Sequence, residues 1–336
     1  MHDALAKLDG SARDQLRQKA QPDWTKPMLA TLVHEAFSDR DWIYERKLDG
    51  ERCLVFIKNG TVQLYSRNRK ELNDSYPEIE AAFDELSLPD LIADGEIVTF
   101  DGQRTSFSRL QGRMQVRDRE EARQTDITVF YYLFDLLHFA GYQLTGLRLR
   151  ERKKVLQRAL AFVDPLRYLN HVNETGEAYH REACEKSWEG VIAKNASAAY
   201  VHSQSKKWLK FKCTRGQEFV IVGYTEPSGR RIGFGALLLG YHDEQGLLRY
   251  AGKVGTGFDN TFLQSFAQTL QALERKTTPI ESGEAPDASG IHWVRPEKVG
   301  EVGFTEWTTH NKLRHPRFLG LRRDKQSEQV VREEPV

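Results

Sequence analysis

The sequence predicts an α+β fold in two units: antiparallel sheets with flanking helices, then a small Greek-key β-barrel. Three observations predict it. Between residues 22 and 213 strand-like runs alternate with helix-like ones, and Asn59-Gly60 stands between two strands as a two-residue hairpin turn. Ile127 to Leu137 is a nearly continuous apolar run, as expected of a strand buried on both faces. After Cys213-Thr-Arg-Gly-Gln217, short strands follow one another across glycine-rich turns with a single helix among them.

In chain order, residues 1–21 read as a polar, partly amphipathic helical extension bearing Leu5, Leu8 and Leu16, leading into Pro22 and Pro27. Cys53–Lys58 and Thr61–Tyr65 flank the hairpin turn, and Leu91–Phe100 reads as a strand pair or one bent strand. Helices are predicted over Tyr76–Leu86, Ser106–Arg123, Leu149–Val163 and Glu177–Trp188, with strands over Gly190–Lys194 and Lys207–Lys212. These make 22–213 one domain. Residues 214–325 make the second, with strands at Phe219–Thr225, Gly235–Tyr241, Leu247–Val254 and Val302–Thr308 and a helix at Thr261–Lys276. That pattern suits a barrel of the oligonucleotide/oligosaccharide-binding (OB) type. Lys276–Gly290 is a polar loop, and 326–336 is expected to be a disordered polar tail.

The 336 residues are 39% hydrophobic and 29% charged, the profile of a soluble globular protein. With 49 basic and 48 acidic side chains the net charge is +1, so any nucleic-acid surface must be local. Cys53, Cys184 and Cys213 are far apart in sequence and read as reduced thiols, without metal-ligand spacing. The charged N-terminus lacks the apolar core of a signal peptide, and no run approaches the ~18 apolar residues of a membrane span. A cytoplasmic monomer is the expectation.

The chemistry centres on Lys47-Leu-Asp-Gly50, with Arg52 just beyond. The preceding strand and the Asp-Gly turn would hold the Lys47 amine at a sheet mouth, where a phosphate can be attacked. Alone, the four letters suit any strand-end lysine beside a turn. A lysine nucleophile must lose a proton that an exposed amine keeps up to a pKa of about 10.4. Lys210 and Lys212, alternate residues of one strand, share a face and can disfavour the Lys47 ammonium or hold phosphate oxygens. They equally suit the solvated side of an amphipathic strand with Leu209 and Phe211 facing the core. Glu96, after Asp94-Gly95, and Glu189, before Gly190, are candidate carboxylates for a hard divalent cation. Arg52 and Arg67 can fork onto phosphates or sugar oxygens, and Phe134 can stack on a base or pack in a core.

Order along the chain sharpens this. Lys47-x-Asp-Gly-x-Arg52, Ser66-Arg-Asn68, Asp94-Gly-Glu96, Phe134-Asp135, Glu189-Gly-Val-Ile-Ala-Lys194 and Lys210-x-Lys212 fall in sequence on successive strands. The series resembles the covalent nucleotidyltransferases: ATP-dependent DNA ligases, RNA ligases and capping enzymes. Pro27-Met-Leu-Ala30, Trp208-Leu-Lys-Phe-Lys212, Gly300–Trp307 and Leu313–Arg322 make it most similar to the ligase domain of the bacterial end-joining ligases. The resemblance runs from about Pro27 to Lys325.

That resemblance implies an ATP-grasp-like adenylyltransferase domain followed by an OB domain, with ATP and Mg2+ or Mn2+ as cofactors. Lys47 would take AMP as a phosphoramidate, and Glu45 would contact the adenine amino group. Arg52 and Glu96 would hold the ribose and nearby phosphate, Phe134 would pack on adenine, and Lys210 and Lys212 would bind the AMP phosphate. Glu96 and Glu189 would stand near the metal, and Arg67 would grip the 5′-phosphate. Arg314, Arg322, Asp324 and Lys325 would orient pyrophosphate, although Arg317 stands where a small polar residue is expected. The barrel would swing on a hinge near Cys213–Gln217. Nicked or broken duplex DNA is the implied partner, with a Ku-type end-binding protein beside it and activity at the bacterial nucleoid. The competing readings are an RNA ligase or capping-type transferase, and a non-catalytic DNA-end-binding module.

Arg109, Arg113 and Arg117 recur every four residues on the predicted 106–123 helix, opposite Phe107, Leu110 and Met114. Such a row can follow a DNA backbone, or pair in solvent with Asp118, Glu120 and Glu121. The basic run Arg148, Arg150, Arg152, Lys153, Lys154 reads as a soluble helix surface.

Overall fold

The computed structural model describes every residue except 34, 214, 215, 230, 287–289, 305, 309 and 334–336. Its chain divides into two compact units, Met1–Cys213 and Thr214–Glu334.

The first unit stacks two sheets. Its strands are β1 (Leu29–Leu32), β2 (Trp42–Lys47), β3 (Glu51–Lys58), β4 (Thr61–Ser66), β5 (Leu91–Val98), β6 (Phe130–Phe139), β7 (His171–Asn173), β8 (Gly190–Asn195) and β9 (Gln204–Lys212). One sheet runs β6-β5-β3-β4, extended beyond β6 by Tyr142–Gln143 and Arg17–Gln18; the other runs β7-β2-β8-β9-β1. Asn59 and Gly60 both have positive φ (51° and 77°), the turn that carries β3 into β4. β3 reads as continuously apolar because it is buried on both faces. Cys53, Val55 and Ile57 enter a core under the helices, whereas Leu54 and Phe56 enter the core with Phe134 and Trp208. β6 does the same with Tyr131 and Leu133 on one side and Phe134 and Leu137 on the other.

Among the described residues after the N-terminal extension, five helices flank the sheets: α1 (Pro77–Asp84), α2 (Phe107–Met114), α3 (Arg119–Gln124), α4 (Leu149–Ala159) and α5 (Gly176–Glu185). Ile79 and Phe83 of α1, Leu110 of α2 and Leu156 of α4 fill the outer core of the first sheet. Fully burying side chains of this size contributes about 1.5–3 kcal/mol each, enough to hold helices this short. The expected 106–123 helix is two, because the Asp118 carboxylate accepts from the Glu120 and Glu121 amides and starts a new one.

The N-terminal extension is not a separate helix. It forms two short helical segments, Asp3–Ala6 and Gly10–Asp14, and a strand, Arg17–Gln18. The Asp9 side chain caps the second segment, and Leu5 and Leu8 are buried in the main core. The basic run also departs from expectation, since Arg152 and Lys153 are buried, not solvated.

The second unit has β10 (Gly216–Thr225), β11 (Leu237–His242), β12 (Leu248–Val254), β13 (Ile291–Gly303) and β14 (Arg317–Leu321), with α6 (Asn260–Ala272). Its antiparallel order is β12-β11-β10-β13, with β14 also on β13, and one core gathers these strands and α6. This is the OB-type arrangement. The long β13 begins well before the expected Val302, across a charged stretch that hides its alternation; position 305 of the expected strand lies outside the described residues, as do 287–289 of the expected loop and 214–215 of the expected hinge. The tail is partly ordered: Val330 is buried and Val331 bridges His242. Among the described residues, no helix is long and apolar enough to cross a membrane.

Candidate active site

Register builds the site. Across β2, β8 and β9 the partners are Lys47–Gly190–Lys212, then Glu45–Ile192–Lys210, then Ile43–Lys194–Trp208. Antiparallel partners point to the same face, so Lys47, Glu45, Lys210, Lys212 and Lys194 all project from one side of this sheet. Lys47 and Lys212 stand two strands apart, about 10 Å by backbone spacing. Between them Gly190 has φ 152°, and a Cβ there would come within 1.9 Å of the Phe211 carbonyl oxygen. Only glycine lets the two lysine-bearing strands lie this close on either side of β8.

The Lys47 amine forms an ion pair with Glu189, each side chain about a fifth exposed (19% and 18%). The second Glu189 carboxylate oxygen is buried and accepts no hydrogen bond among the described residues. A buried acceptor of that kind fits a divalent cation, so Glu189 suits the metal role. Glu96 lies on the facing sheet, in register with Arg52 and Tyr132.

Beneath these groups is a floor that sequence reasoning missed in part. Buried Glu45 is bracketed by Lys153 at 2.5 Å and Lys194 at 2.6 Å. Burial alone would raise the Glu45 pKa; the two lysines outweigh it and hold the carboxyl below its usual range. Burial likewise disfavours the Lys153 cation, but Glu45 prevails and its pKa stands above the ordinary lysine value. Lys194 goes the other way: burial, with Lys153 alongside and Glu45 opposing, brings it down to about 8. Its amine lies 4.0 Å from the centroids of both the Phe134 and Trp208 rings. Among the described residues the Lys194 amine and the Glu45 oxygen facing it meet as an ion pair and make no further hydrogen bond.

Arg52 is held from below. Its Nε and Nη2 donate to Asp94 at 2.6 and 2.7 Å, Nη2 also donates to the Met28 carbonyl, and its guanidinium lies 4.8 Å from the Phe134 centroid. The Tyr200 hydroxyl, kept protonated by burial, donates to Asp94 at 2.6 Å. Asp94 was visible in Asp94-Gly-Glu96, but nothing local marked Tyr200 as its partner or Lys153 as the partner of Glu45.

Other expected residues scatter. Arg67 sits in the turn after β4. In the second unit Arg322 forks onto Asp324 (3.0 and 2.8 Å) and reaches Glu301 at 3.0 Å, and Lys325 meets Glu218 at 3.1 Å. Arg314 is exposed on a two-residue strand, Leu313–Arg314. Arg113 must leave the arginine row: it is buried and donates to the Ser75 and Ile127 carbonyls and to both oxygens of Glu78. Its place one turn beyond Leu110 turns it toward the core. Arg109 is exposed on α2, and exposed Arg117 lies past that helix's end. The cysteine reading needs a further correction. Cys184 and Cys213 form a disulfide with Cα atoms 5.1 Å apart, and His180 brings a third donor within 4.8 Å of both sulfurs; buried Cys53 alone is free.

Residues 27–212 match the family model for the ATP dependent DNA ligase domain, and 230–325 that for the ATP dependent DNA ligase C terminal region. The chain therefore belongs to the ATP-dependent DNA ligases. It is 38% identical over 321 residues to the multifunctional non-homologous end joining protein LigD of Pseudomonas aeruginosa, covering 94% of this chain but 37% of that protein. With the multifunctional non-homologous end joining DNA repair protein LigD of Mycobacterium tuberculosis it shares 35% over 314 residues, covering 91% of this chain and 40% of the relative. The chain thus spans about two-fifths of these relatives' length. A solved mycobacterial DNA ligase D complexed with ATP and MES superposes with a TM-score of 0.63 at 32% identity, covering 92% of this chain and 98% of that one. As a member of this family the chain is of a type that depends on ATP and acts on DNA.

Proposed function

We propose that this ligase seals 5′-phosphate/3′-hydroxyl breaks in duplex DNA through a lysyl-AMP on Lys47. The row Lys47–Gly190–Lys212, with Glu189 on the Lys47 amine, supports the reading most directly. Lys47 attacks the α-phosphorus of ATP; an N–P bond forms, the α–β anhydride breaks and pyrophosphate leaves. An oxygen of the 5′-phosphate then attacks the same phosphorus, the N–P bond breaks and Lys47 regains a proton. Finally the 3′-oxygen attacks the activated 5′-phosphate and AMP departs. Lys210 and Lys212 face the phosphate and offset the charge that builds on it. Magnesium or manganese, held by Glu96 and Glu189, supplies further neutralisation of phosphate charge when bound.

Base choice follows from the floor. The Glu45 oxygen accepts and the Lys194 amine donates, which complements the amino group and N1 of adenine and opposes the reversed pattern of guanine. Phe134 provides the apolar face beside them. Arg67 holds the 5′-phosphate, while Arg314, Arg322, Asp324 and Lys325 orient pyrophosphate in the first step. The kinship with end-joining proteins supports a role in double-strand-break repair beside a Ku-type end-binding protein.

Gel detection of a protein–AMP adduct, chased with nicked DNA, tests the reading. Labelling by ATP that Lys47→Ala abolishes, followed by transfer and sealing, is expected. Labelling by GTP alone, or an adduct retained in Lys47→Ala, would overturn it.

A further inference from the structure

Beside the nucleotide site, a groove of about 510 Å³ opens in the first unit. Its centre is Arg46, next to the nucleophile but on the opposite face of β2. The Arg46 guanidinium lies 4.4 Å from the Trp188 ring centroid and 5.8 Å from that of Phe100. One nitrogen, Nη2, donates to the Gln103 carbonyl at 3.2 Å. Its Nε is buried and makes no hydrogen bond among the described residues. Among the described residues Arg46 makes no ion pair, and burial disfavours its cation, with Tyr132 and Tyr179 opposing. A half-buried guanidinium without an anion is costly to keep, and an arriving anion would relieve that cost.

The groove walls are cationic and aromatic. Arg167 lies 3.7 Å from the Phe130 ring centroid, and Lys186 lies 5.2 Å from that of Trp188. Asp164 and Glu182 neutralise those two outer cations. Among the described residues of the groove wall, Arg46 is therefore the cation without a paired carboxylate.

One wall of the groove is formed by β6, the strand that also carries Phe134. Phe130, Tyr132 and Phe134 are alternate residues of β6, and Tyr132 is the register partner of Glu96.

We infer that this groove binds a phosphodiester of the DNA within one or two nucleotides of the break, the phosphate on Arg46 and the adjoining sugar or base against Trp188. Arginine with flanking aromatic rings is how proteins track a nucleic-acid strand without reading its sequence. The inference rests on the DNA-sealing reading above and extends it to a substrate contact.

The test compares Arg46→Met and Arg46→Lys with the unaltered chain. Self-adenylation by ATP without DNA is measured beside affinity for a nicked duplex over a salt series. Arg46→Met should adenylate within about twofold of the original, bind the duplex roughly 5- to 10-fold more weakly and lower the salt slope by about one; Arg46→Lys should restore the slope. Unchanged affinity and slope in Arg46→Met would overturn the inference, as would a loss confined to self-adenylation. Trp188→Leu, which keeps every charge, should weaken binding at an unchanged slope; full affinity there would remove the stacking half of the inference. An unaltered chain that takes AMP but seals nothing would instead refute the DNA-sealing reading, leaving the two failures separable.

Discussion

Lys47 and Glu189 are ion-paired across the ends of two neighbouring strands, one residue closing β2 and the other immediately preceding β8. The Lys47 amine is thus held as one half of a charge pair, which on the proposed mechanism has to open before the amine attacks. Lys47→Arg keeps the pairing and should leave stability within about 0.5 kcal/mol, yet form no AMP adduct. Glu189→Gln should slow adduct formation at least about 100-fold. Wild-type labelling rates in Glu189→Gln would make the carboxylate a bystander.

Lys153 and Lys154 are neighbours on α4 with opposite fates. Lys153 is 2% exposed and bonded to buried Glu45, whereas exposed Lys154 reaches back to Glu151 one turn earlier. Removing one partner of a buried pair is expensive, so Lys153→Met should cost about 3 kcal/mol, moderated because Lys194 still faces Glu45. Lys154→Met should stay within about 0.5 kcal/mol. Urea denaturation of both variants gives the comparison.

His171 on β7 is the register partner of Glu45. Burial first, then Lys153, Arg150 and Lys194, against the pull of Glu45, lower its pKa from 6.5 to about 4. Between those values the unfolded chain binds a proton that the folded chain refuses, so stability falls as pH drops from 6.5 to about 4 and its contribution then levels off. The loss from this one group should be about 1–3 kcal/mol. His171→Asn should show a correspondingly shallower acid loss between pH 7 and 4.5; parallel curves would refute the assignment.

Arg113 and Arg117 separate architecture from binding. Arg113→Met strands the Ser75 carbonyl and Glu78, and should cost about 2–3 kcal/mol. Arg117→Ala should leave stability unchanged and affect only DNA affinity. An Arg113→Met protein of undiminished stability that binds DNA weakly would restore it to the interface.

Much of the site was legible because its residues sit at strand ends, next to glycines, in an order that few folds share. Lys47, Glu189, Lys210 and Lys212 alternate or abut a turn, and strand geometry alone puts the two later lysines on one face. The floor was not legible. Lys153 reaches Glu45 across 108 positions of sequence, and within a basic helix a buried lysine looks like any other. Arg113 was misread for the same reason: a helical repeat of arginines does not say which of them faces a core. The cysteines were misread because spacing along the chain says nothing of Cys184 and Cys213 meeting through α5 and β9. Helix ends fared better for type than for length, since Asp118 breaks a stretch whose periodicity continues past it.

The Cys184–Cys213 bond has a mechanical side. Cys213 is also tied through its amide to the Glu189 carbonyl at 3.0 Å. Immediately after Lys212, then, the polypeptide is moored twice, once to α5 and once to the loop that presents Glu189. Fraying at the end of β9 has to undo both ties first, so the pairing of Lys212 with Gly190 is protected where the strand gives out.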